Sequence, residues 1–497
     1  MQITLLSSEK DLAAIGQDVV RLFYPDVRIL VDSAANADVT IRLSTLVEGR
    51  KLTGQAWVET QTGQLFEEAF TDRVPVLGDE RNLQKWLVKL ALFRLLARYT
   101  GTSPGPWGIL TGIRPTKIVH RLLDKQWAEP EIWNYLVTNY DMQPEKAGLL
   151  TEIALRQRPF LVSPEQAGSL VSAYIGIPFC PTRCAYCSFP AYPVIKYGQL
   201  IRPFLQALVR EITTLGQVLL EQGIGIQTVY LGGGTPTVLE SEQLETLLGT
   251  IRSHLISTDT LEITLEAGRP DTITKEKLEI ARAYGVTRLS INPQSMNPCT
   301  LDKIGRQHSP EDITGSVGMA RELGFANINM DIIAGLPGER VSDMDNTLAE
   351  IAGLRPENLT VHTLALKRAS RIKETMDEFE LPDREEVGKM LEVTAEAAGL
   401  MDMHPYYLYR QKNMVGPLEN IGYARPGFEC IYNVQIIEER QSIIGFGGGA
   451  GTKFVEPGTW YLTSHYNPKD PETYIKRIED LTVHKIMKLR GLKNESR

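Results

Sequence analysis

From about Ser169 onward, apolar positions gather into short continuous runs separated by stretches in which they recur every three to four residues. Runs of four to eight apolar or β-branched residues predict buried strands. They fall at Leu170–Ile177, Thr228–Leu231, Leu261–Leu265, Arg288–Ile291, Ile328–Ile333 and Asn358–Leu364. The helical period predicts helices over Leu200–Glu221, Ser241–His254, Lys275–Tyr284, Pro310–Leu323 and Asp343–Leu354, and again over Arg384–Met401. Strands that alternate with helices are parallel, because each crossover returns over the sheet. Six such units fall short of the eight of a closed barrel. The expected fold is therefore α/β, an open partial (β/α)6 barrel.

The pattern differs on either side of this region. Gln2–Leu6, Val27–Val31, Asp38–Leu43 and Gln55–Thr60 read as strands around an amphipathic helix at Glu9–Phe23, and Leu83–Tyr99 reads as a long helix. The breaker-rich stretch Thr100–Trp107 marks a corner, and helices are expected to about Leu123, over Pro130–Tyr140 and over Pro144–Gln157. Arg114 and Lys117 read as solvated charges at an ordinary helix entry. After Met401 come an aromatic-rich strand or loop at Tyr406–Tyr409, a strand at Ser442–Phe446 running into a glycine-rich turn to Gly451, and a helical tail from Pro468 that is basic towards its end. The expected division is an α+β domain over 1–100, a helical linker region over 101–168, the partial barrel over 169–370 and a mixed α/β extension that covers the substrate over 371–497.

A length of 497 residues exceeds one ordinary core. No apolar run has the length of a membrane span, and the N-terminus lacks a basic flank followed by an apolar stretch. A cytoplasmic protein without a membrane span is expected. A net charge of −8 argues against a nucleic-acid partner, since phosphate neutralisation needs a basic face.

The five cysteines are too few for a disulfide scaffold in so long a chain, yet Cys180, Cys184 and Cys187 lie within eight residues, just after the first strand of the barrel. The spacing C-x3-C-x2-C supplies three thiolates. An iron–sulfur cube takes four ligands, so one iron would stay open. Structural zinc also takes four ligands, and Cys299 and Cys430 are distant in sequence. Both readings stand at this point. The turn Gly232–Thr237, Gly-Gly-Gly-Thr-Pro-Thr, follows the second strand and favours the first. Glycines there let a ligand approach bare backbone, and ligands of parallel α/β folds bind at the carboxyl ends of strands.

With these motifs together, the chain resembles radical S-adenosylmethionine (SAM) enzymes over about Ser169–Lys453. Within them it is most similar to the oxygen-independent coproporphyrinogen III oxidase (dehydrogenase)-like family, in its longer bacterial subgroup with an extra N-terminal domain. The resemblance implies Cys180, Cys184 and Cys187 as ligands of a [4Fe–4S] cluster, with SAM on the fourth iron. It implies a SAM pocket lined by Tyr174, Tyr186, Gly233, Gly234, Thr235, Glu266, Gln294, Arg306, Asp331 and Ala365. In chemical terms, backbone at Gly233–Thr235 can receive the SAM ammonium, and Glu266, Gln294 and Asp331 are acceptors for ammonium or ribose hydroxyls. Arg306 can fork onto the carboxylate, and Tyr186 can wall the adenine. No catalytic residue beyond these is assigned.

The implied reaction is reductive SAM cleavage followed by oxidative decarboxylation of coproporphyrinogen III to protoporphyrinogen IX in porphyrin and haem biosynthesis. The implied partners are a porphyrinogen or haem, and a low-potential electron donor such as flavodoxin or ferredoxin, with the chain a monomer. The family's decarboxylases resemble C-x3-C-x2-C-x-C, and Phe189 stands here at the last cysteine position, as in the related haem chaperones. Those chaperones carry H-N-x-x-Y-W where this chain has Glu429–Glu438, which retains only Asn433 of that pattern's histidine, asparagine and tryptophan. A haem-binding chaperone and a radical SAM enzyme with another substrate, such as a methyltransferase, are the alternative readings. Lys367, Arg368, Arg371, Arg410, Lys412 and Lys453 are expected near the barrel opening, where propionates would need cations. Cys299 and Cys430 read as packed or incidental thiols.

Overall fold

The computed structural model describes the whole chain except residues 8, 26, 34–36, 49–50, 73–79, 104, 113, 368–369, 375–378, 412–417 and 492–497. The chain divides into two compact units, Met1–Ala154 and Leu155–Arg497.

In the first unit, β1 (Gln2–Ser7), α1 (Lys10–Phe23), β2 (Arg28–Val31), β3 (Val39–Glu48), β4 (Lys51–Thr60), β5 (Leu65–Asp72) and α2 (Glu80–Thr100) form an α+β layer. The five-stranded sheet has the order β2-β1-β3-β4-β5. Alternation along β1, β3 and β4 turns Ile3, Leu5, Ile41, Leu43 and Val58 into one core with Val88, Leu92 and Leu95 of α2. The pattern had not marked β5. Phe66 and Phe70 point into the core there, but adjacent Glu67 and Glu68 disguise the alternation. The helices α3 (Thr116–Asp124), α4 (Glu129–Tyr140) and α5 (Pro144–Gln157) follow, and Arg114 and Lys117 flank the entry to α3.

The second unit starts with α6 (Pro164–Ala167) and β6 (Leu170–Ile177). A two-residue strand β7 (Phe179–Cys180) pairs with β8 (Tyr192–Pro193) and closes the base of the cysteine loop. Then come α7 (Val194–Tyr197), α8 (Ile201–Glu221), β9 (Gly225–Gly233), α9 (Ser241–His254), β10 (Glu262–Glu266), α10 (Lys275–Ala283), β11 (Arg288–Ser290), α11 (Pro298–Lys303), α12 (Pro310–Glu322), β12 (Ile328–Ala334), α13 (Val341–Leu354) and β13 (Asn358–Thr363). The six expected strands pair in chain order and in parallel, β6-β9-β10-β11-β12-β13. Local signals explain the crossovers: Thr274 and Ser309 cap α10 and α12 through their side chains, and Gly285 and Gly324 take up positive φ just after those helices.

The remaining elements are α14 (Arg371–Glu374), α15 (Arg384–Leu400), β14 (His404–Tyr409), β15 (Asn420–Ala424), α16 (Ile431–Glu438), β16 (Ile443–Gly447), β17 (Gly451–Val455), β18 (Leu462–Tyr466) and α17 (Pro471–Gly491). Among the described residues they extend the sheet to eleven strands, β14-β15-β13-β12-β11-β10-β9-β6-β16-β17-β18, and its two ends do not pair with each other. The barrel is open, as expected. β16 joins β6 in parallel, so the extension lengthens the parallel section by one strand. Among the described residues no helix is long and apolar enough to cross a membrane.

Candidate cluster and cofactor site

Parallel pairing brings the carboxyl ends of β6, β9, β10, β11 and β12 to one edge. Ile177 stands opposite Gly233, Glu266 opposite Ser290, and Gln294 bridges to Ile332 just beyond β11. The cysteine loop and the glycine turn touch. Gly234 and Thr235 donate their N–H groups to the carbonyls of Ile177 (2.7 Å) and Phe179 (2.8 Å). A Cβ on Gly234 would stand 2.5 Å from the Phe179 carbonyl oxygen and 2.9 Å from Cys180 Sγ, so only glycine fits. Gly233 adopts φ +108°.

Two cysteines of the loop receive a donor: Thr235 Oγ1 donates to Cys180 Sγ (3.5 Å) and Arg269 Nη1 to Cys184 Sγ (3.6 Å). Burial pushes Cys180, as a free thiol, up to about 12, against the Thr235 hydrogen bond, and burial also raises Cys187. Iron overcomes such a cost, since a coordinating thiol is deprotonated outright. Among the described residues no three His, Cys, Asp or Glu side chains gather as they would around a single metal ion. The donor set suits a larger body: three thiols on one short loop, with Gly234 close against Cys180.

Beside the loop, Glu266 accepts from Tyr230 OH (2.7 Å) and from the Gly233 N–H (3.1 Å). Burial nevertheless raises its carboxyl to about 7, with the charge of Asp331 adding to the rise. Burial also works to raise Asp331, but His362 and Asn329 outweigh it and hold Asp331 below the ordinary range. Asn329 Nδ2 donates to Asp331 Oδ1 at 2.7 Å, and His362 Nε2 lies 3.7 Å from Oδ2. Gln294 holds φ +67°, pinned by its N–H to the Asp331 carbonyl (2.9 Å) and by Ile333 N–H to its own carbonyl (3.0 Å). Its buried Oε1 has no hydrogen-bond partner.

Arg306 Nη1 donates to the carbonyls of Gly268 (2.8 Å) and Asn292 (2.9 Å), and its Nη2 to Tyr186 OH (3.0 Å), leaving Nε without a partner. Tyr186 packs on the apolar cluster of Ala185, Leu301, Ile304 and Leu336. Tyr174 stacks on Tyr230 and Tyr432, with centroids 6.2 and 6.1 Å away. Ala365 lies half-buried just past β13, its carbonyl accepting from Lys367 N–H (3.0 Å).

Of the cations expected near the opening, Lys367 is half-buried and feels the charge of Cys187, while burial lowers its pKa. Arg371 starts α14 and is exposed. Arg410 is buried, donates to the Leu418 carbonyl (3.3 Å) and is lowered by burial to about 10. Lys453 is engaged with Glu439 (2.7 Å) and the Ile436 carbonyl. Arg368 and Lys412 lie outside the described residues. Cys299 is exposed on α11, and buried Cys430 donates to Glu262 (3.2 Å). Phe189 is 63% exposed.

Sequence reasoning had not marked Arg269, Tyr230 or Tyr432. Arg269 stands three residues after Glu266 at a strand end, a place where a buried charge could have been sought. Tyr432 belongs to α16, whose short apolar run carries no clear period.

The family model described as "Radical SAM superfamily" matches residues 174–351. The oxygen-independent coproporphyrinogen-III oxidase-like protein HemZ of Bacillus subtilis is 40% identical over 95% of this chain and 94% of its own length. The haem chaperone HemW of the same organism is 33% identical over 58% of this chain and 73% of its own. The solved coproporphyrinogen III oxidase HemN of Escherichia coli shares the fold, with a TM-score of 0.52 at 24% identity over 66% of this chain and 73% of that one. The chain thus belongs to the radical SAM superfamily, among the oxygen-independent coproporphyrinogen-III oxidase-like proteins, whose cofactors are a [4Fe–4S] cluster and SAM.

Proposed function

We propose that the chain is a radical SAM oxidoreductase that decarboxylates coproporphyrinogen III to protoporphyrinogen IX without oxygen. The observation that carries this reading is the edge at which the cysteine loop meets the glycine turn. There Glu266 ends β10, Gln294 follows β11 and Asp331 lies within β12 beside it, with the Gln294 side-chain Oε1 still without a partner. The extent of the match to the coproporphyrinogen-III oxidase-like relative supports the substrate class, since it spans both units.

In this reading Cys180, Cys184 and Cys187 hold the cluster. Backbone at Gly233 and Gly234, with Thr235, receives the methionyl end of SAM, and Glu266 and Asp331 accept from its ammonium or ribose. Gln294 offers its orphan Oε1 to a ribose hydroxyl. Arg306 contributes Nε and, through Nη2, fixes the Tyr186 ring as an adenine wall; Tyr174 and Ala365 complete the lining. When bound, the two cofactors supply radical hydrogen-atom abstraction. The chain's own task is to hold a propionate β-carbon at the mouth, with Lys367 beside Cys187 as a cation for the carboxylates. Two of the four propionates each lose a hydrogen atom, CO2 and one further electron to become vinyl groups, and the other two remain. The electron passes to an external acceptor, while a low-potential carrier of the flavodoxin or ferredoxin class reduces the cluster. A monomer in the cytoplasm fits this scheme.

The test is anaerobic incubation of the reconstituted protein with SAM, reductant, an electron acceptor and coproporphyrinogen III. Harderoporphyrinogen, then protoporphyrinogen, is expected. A second reading, haem binding and delivery, is favoured by Phe189 and by the similarity to a haem chaperone. Tight stoichiometric haem binding without any vinyl product would establish it in place of the first.

A further inference from the structure

The three cysteines of the loop are not equivalent. Cys180 receives a neutral hydroxyl, but Cys184 receives a guanidinium. Arg269 is only 3% exposed. Its Nη1 also donates to Thr182 Oγ1 (3.1 Å), so one nitrogen grips two residues of the cysteine loop. Its Nε and Nη2 lie 2.9 Å from the two carboxylate oxygens of Asp271, a bidentate pair that fixes the plane of the guanidinium. The backbone beneath it is fastened as well. Thr272 Oγ1 donates to the Arg269 carbonyl (2.7 Å) and shares a hydrogen bond with Thr237 Oγ1 (2.7 Å) of the glycine turn, while Lys277 Nζ donates to the Thr237 carbonyl (2.8 Å). The cysteine loop, the glycine turn and the loop after β10 are thereby locked together around one buried cation.

We infer that Arg269, oriented by Asp271, sets the reduction potential of the cluster by placing a charged donor on the Cys184 sulfur. Reduction adds one negative charge to the cluster and its ligands. A fixed cation in a site shielded from water stabilises the reduced form, and hydrogen bonds to ligand sulfurs act in the same direction. Asp271 opposes part of this effect from the far side of the guanidinium. Arg269 touches a ligand rather than a reacting atom, so it is a tuning and positioning residue. The inference rests on the proposed ligation by Cys180, Cys184 and Cys187.

The experiment is an EPR-monitored redox titration of full-length protein, anaerobically reconstituted, with iron and sulfide counted per chain. At a fixed potential near the wild-type midpoint, Arg269→Met is expected to lower the ratio of reduced to oxidised cluster about tenfold, which for one electron is about 59 mV to the negative side. Asp271→Asn is expected to move the ratio the other way, Arg269→Lys to shift it less than Met, and Thr235→Val, which removes a neutral donor, to shift it least. Ratios for Arg269→Met and Asp271→Asn within twofold of wild type, at wild-type iron content, would overturn the inference, as would shifts of the same sign. If Arg269→Met takes up no iron, Asp271→Asn decides alone: a positive shift supports the inference and no shift overturns it. A wild-type chain that takes up no cluster would overturn the functional reading and this inference with it; a loaded wild type with unmoved variants overturns only the inference.

Discussion

Glu211 on α8 and Glu266 at the end of β10 are carboxylates of the same unit, bound in opposite ways. Glu211 is fully buried and accepts four donors: Lys485 Nζ (2.7 Å) and Asn467 Nδ2 (3.2 Å) on one oxygen, Tyr474 OH (2.6 Å) and Gly447 N–H (2.9 Å) on the other. Its charge is matched and its lone pairs are filled. It ties α17 and the end of β16 to α8, and leaves nothing for a ligand. Glu266 is half-buried and accepts two donors, neither of them a cation, so burial lifts its carboxyl to about 7. Around it stand Gln294 with a strained backbone and an unpartnered side-chain Oε1, and Arg306 with an unpartnered Nε. A closed network serves the fold; an open one keeps its capacity for something that arrives later. The strain at Gln294 belongs to the second kind, since the ladder around it holds a conformation that glycine would adopt more cheaply.

The contrast can be broken at several points. The largest effect is expected at the loop itself: Cys184→Ala should abolish the visible absorbance and the EPR signal of the reconstituted, reduced protein, and retention of both would refute cluster ligation there. Next comes the closed network. Lys485→Met leaves the Glu211 carboxylate buried without its cation and should cost about 3–5 kcal/mol in urea unfolding, whereas Glu266→Gln should stay within about 1 kcal/mol of wild type. Equal losses at the two sites would erase the distinction.

The third effect is pH-dependent. The Glu266 carboxyl is ionised above about 7 and protonated below. An ionised partner for a cationic ligand makes SAM binding about tenfold weaker at pH 6 than at pH 8, as read by equilibrium binding to the reconstituted protein. Stability runs the other way: a raised native carboxyl pKa contributes stability at low pH that is lost as pH rises through about 7. Glu266→Gln should flatten both profiles, and an unchanged pH dependence in that variant would assign the titration elsewhere. The smallest effect is at Gln294. Gln294→Gly relieves φ +67° while adding chain entropy, so stability should stay within about 1 kcal/mol of wild type. SAM affinity should fall about fivefold, the worth of one hydrogen bond.

The six parallel strands and their crossovers were legible because each is a continuous apolar run bounded by capping residues and glycines. The cysteine loop, the glycine turn and the strand-end polar residues were legible because they recur as ordered motifs. What escaped shares a different physics. β15 (Asn420–Ala424) and β18 (Leu462–Tyr466) are short antiparallel additions whose patterns mix polar and apolar positions, and β5 hides its alternation behind two glutamates. Arg269 meets Cys184, and Glu211 meets Lys485, across 85 and 274 residues of sequence; nothing local to either partner announces the other. For the same reason Glu211 and Glu266 are indistinguishable by residue type, and nothing local to Arg306 announces its bonds to two carbonyls and Tyr186.

The central claim is that the open edge beside the cysteine loop seats SAM against a reducible cluster. Its most direct test is SAM turnover: the reconstituted protein is reduced anaerobically, given SAM alone, and assayed for 5′-deoxyadenosine and methionine. Equal amounts of both products, absent from Cys184→Ala and reduced in Glu266→Gln, are predicted. A fully loaded, fully reduced wild-type protein that leaves SAM intact would contradict the account.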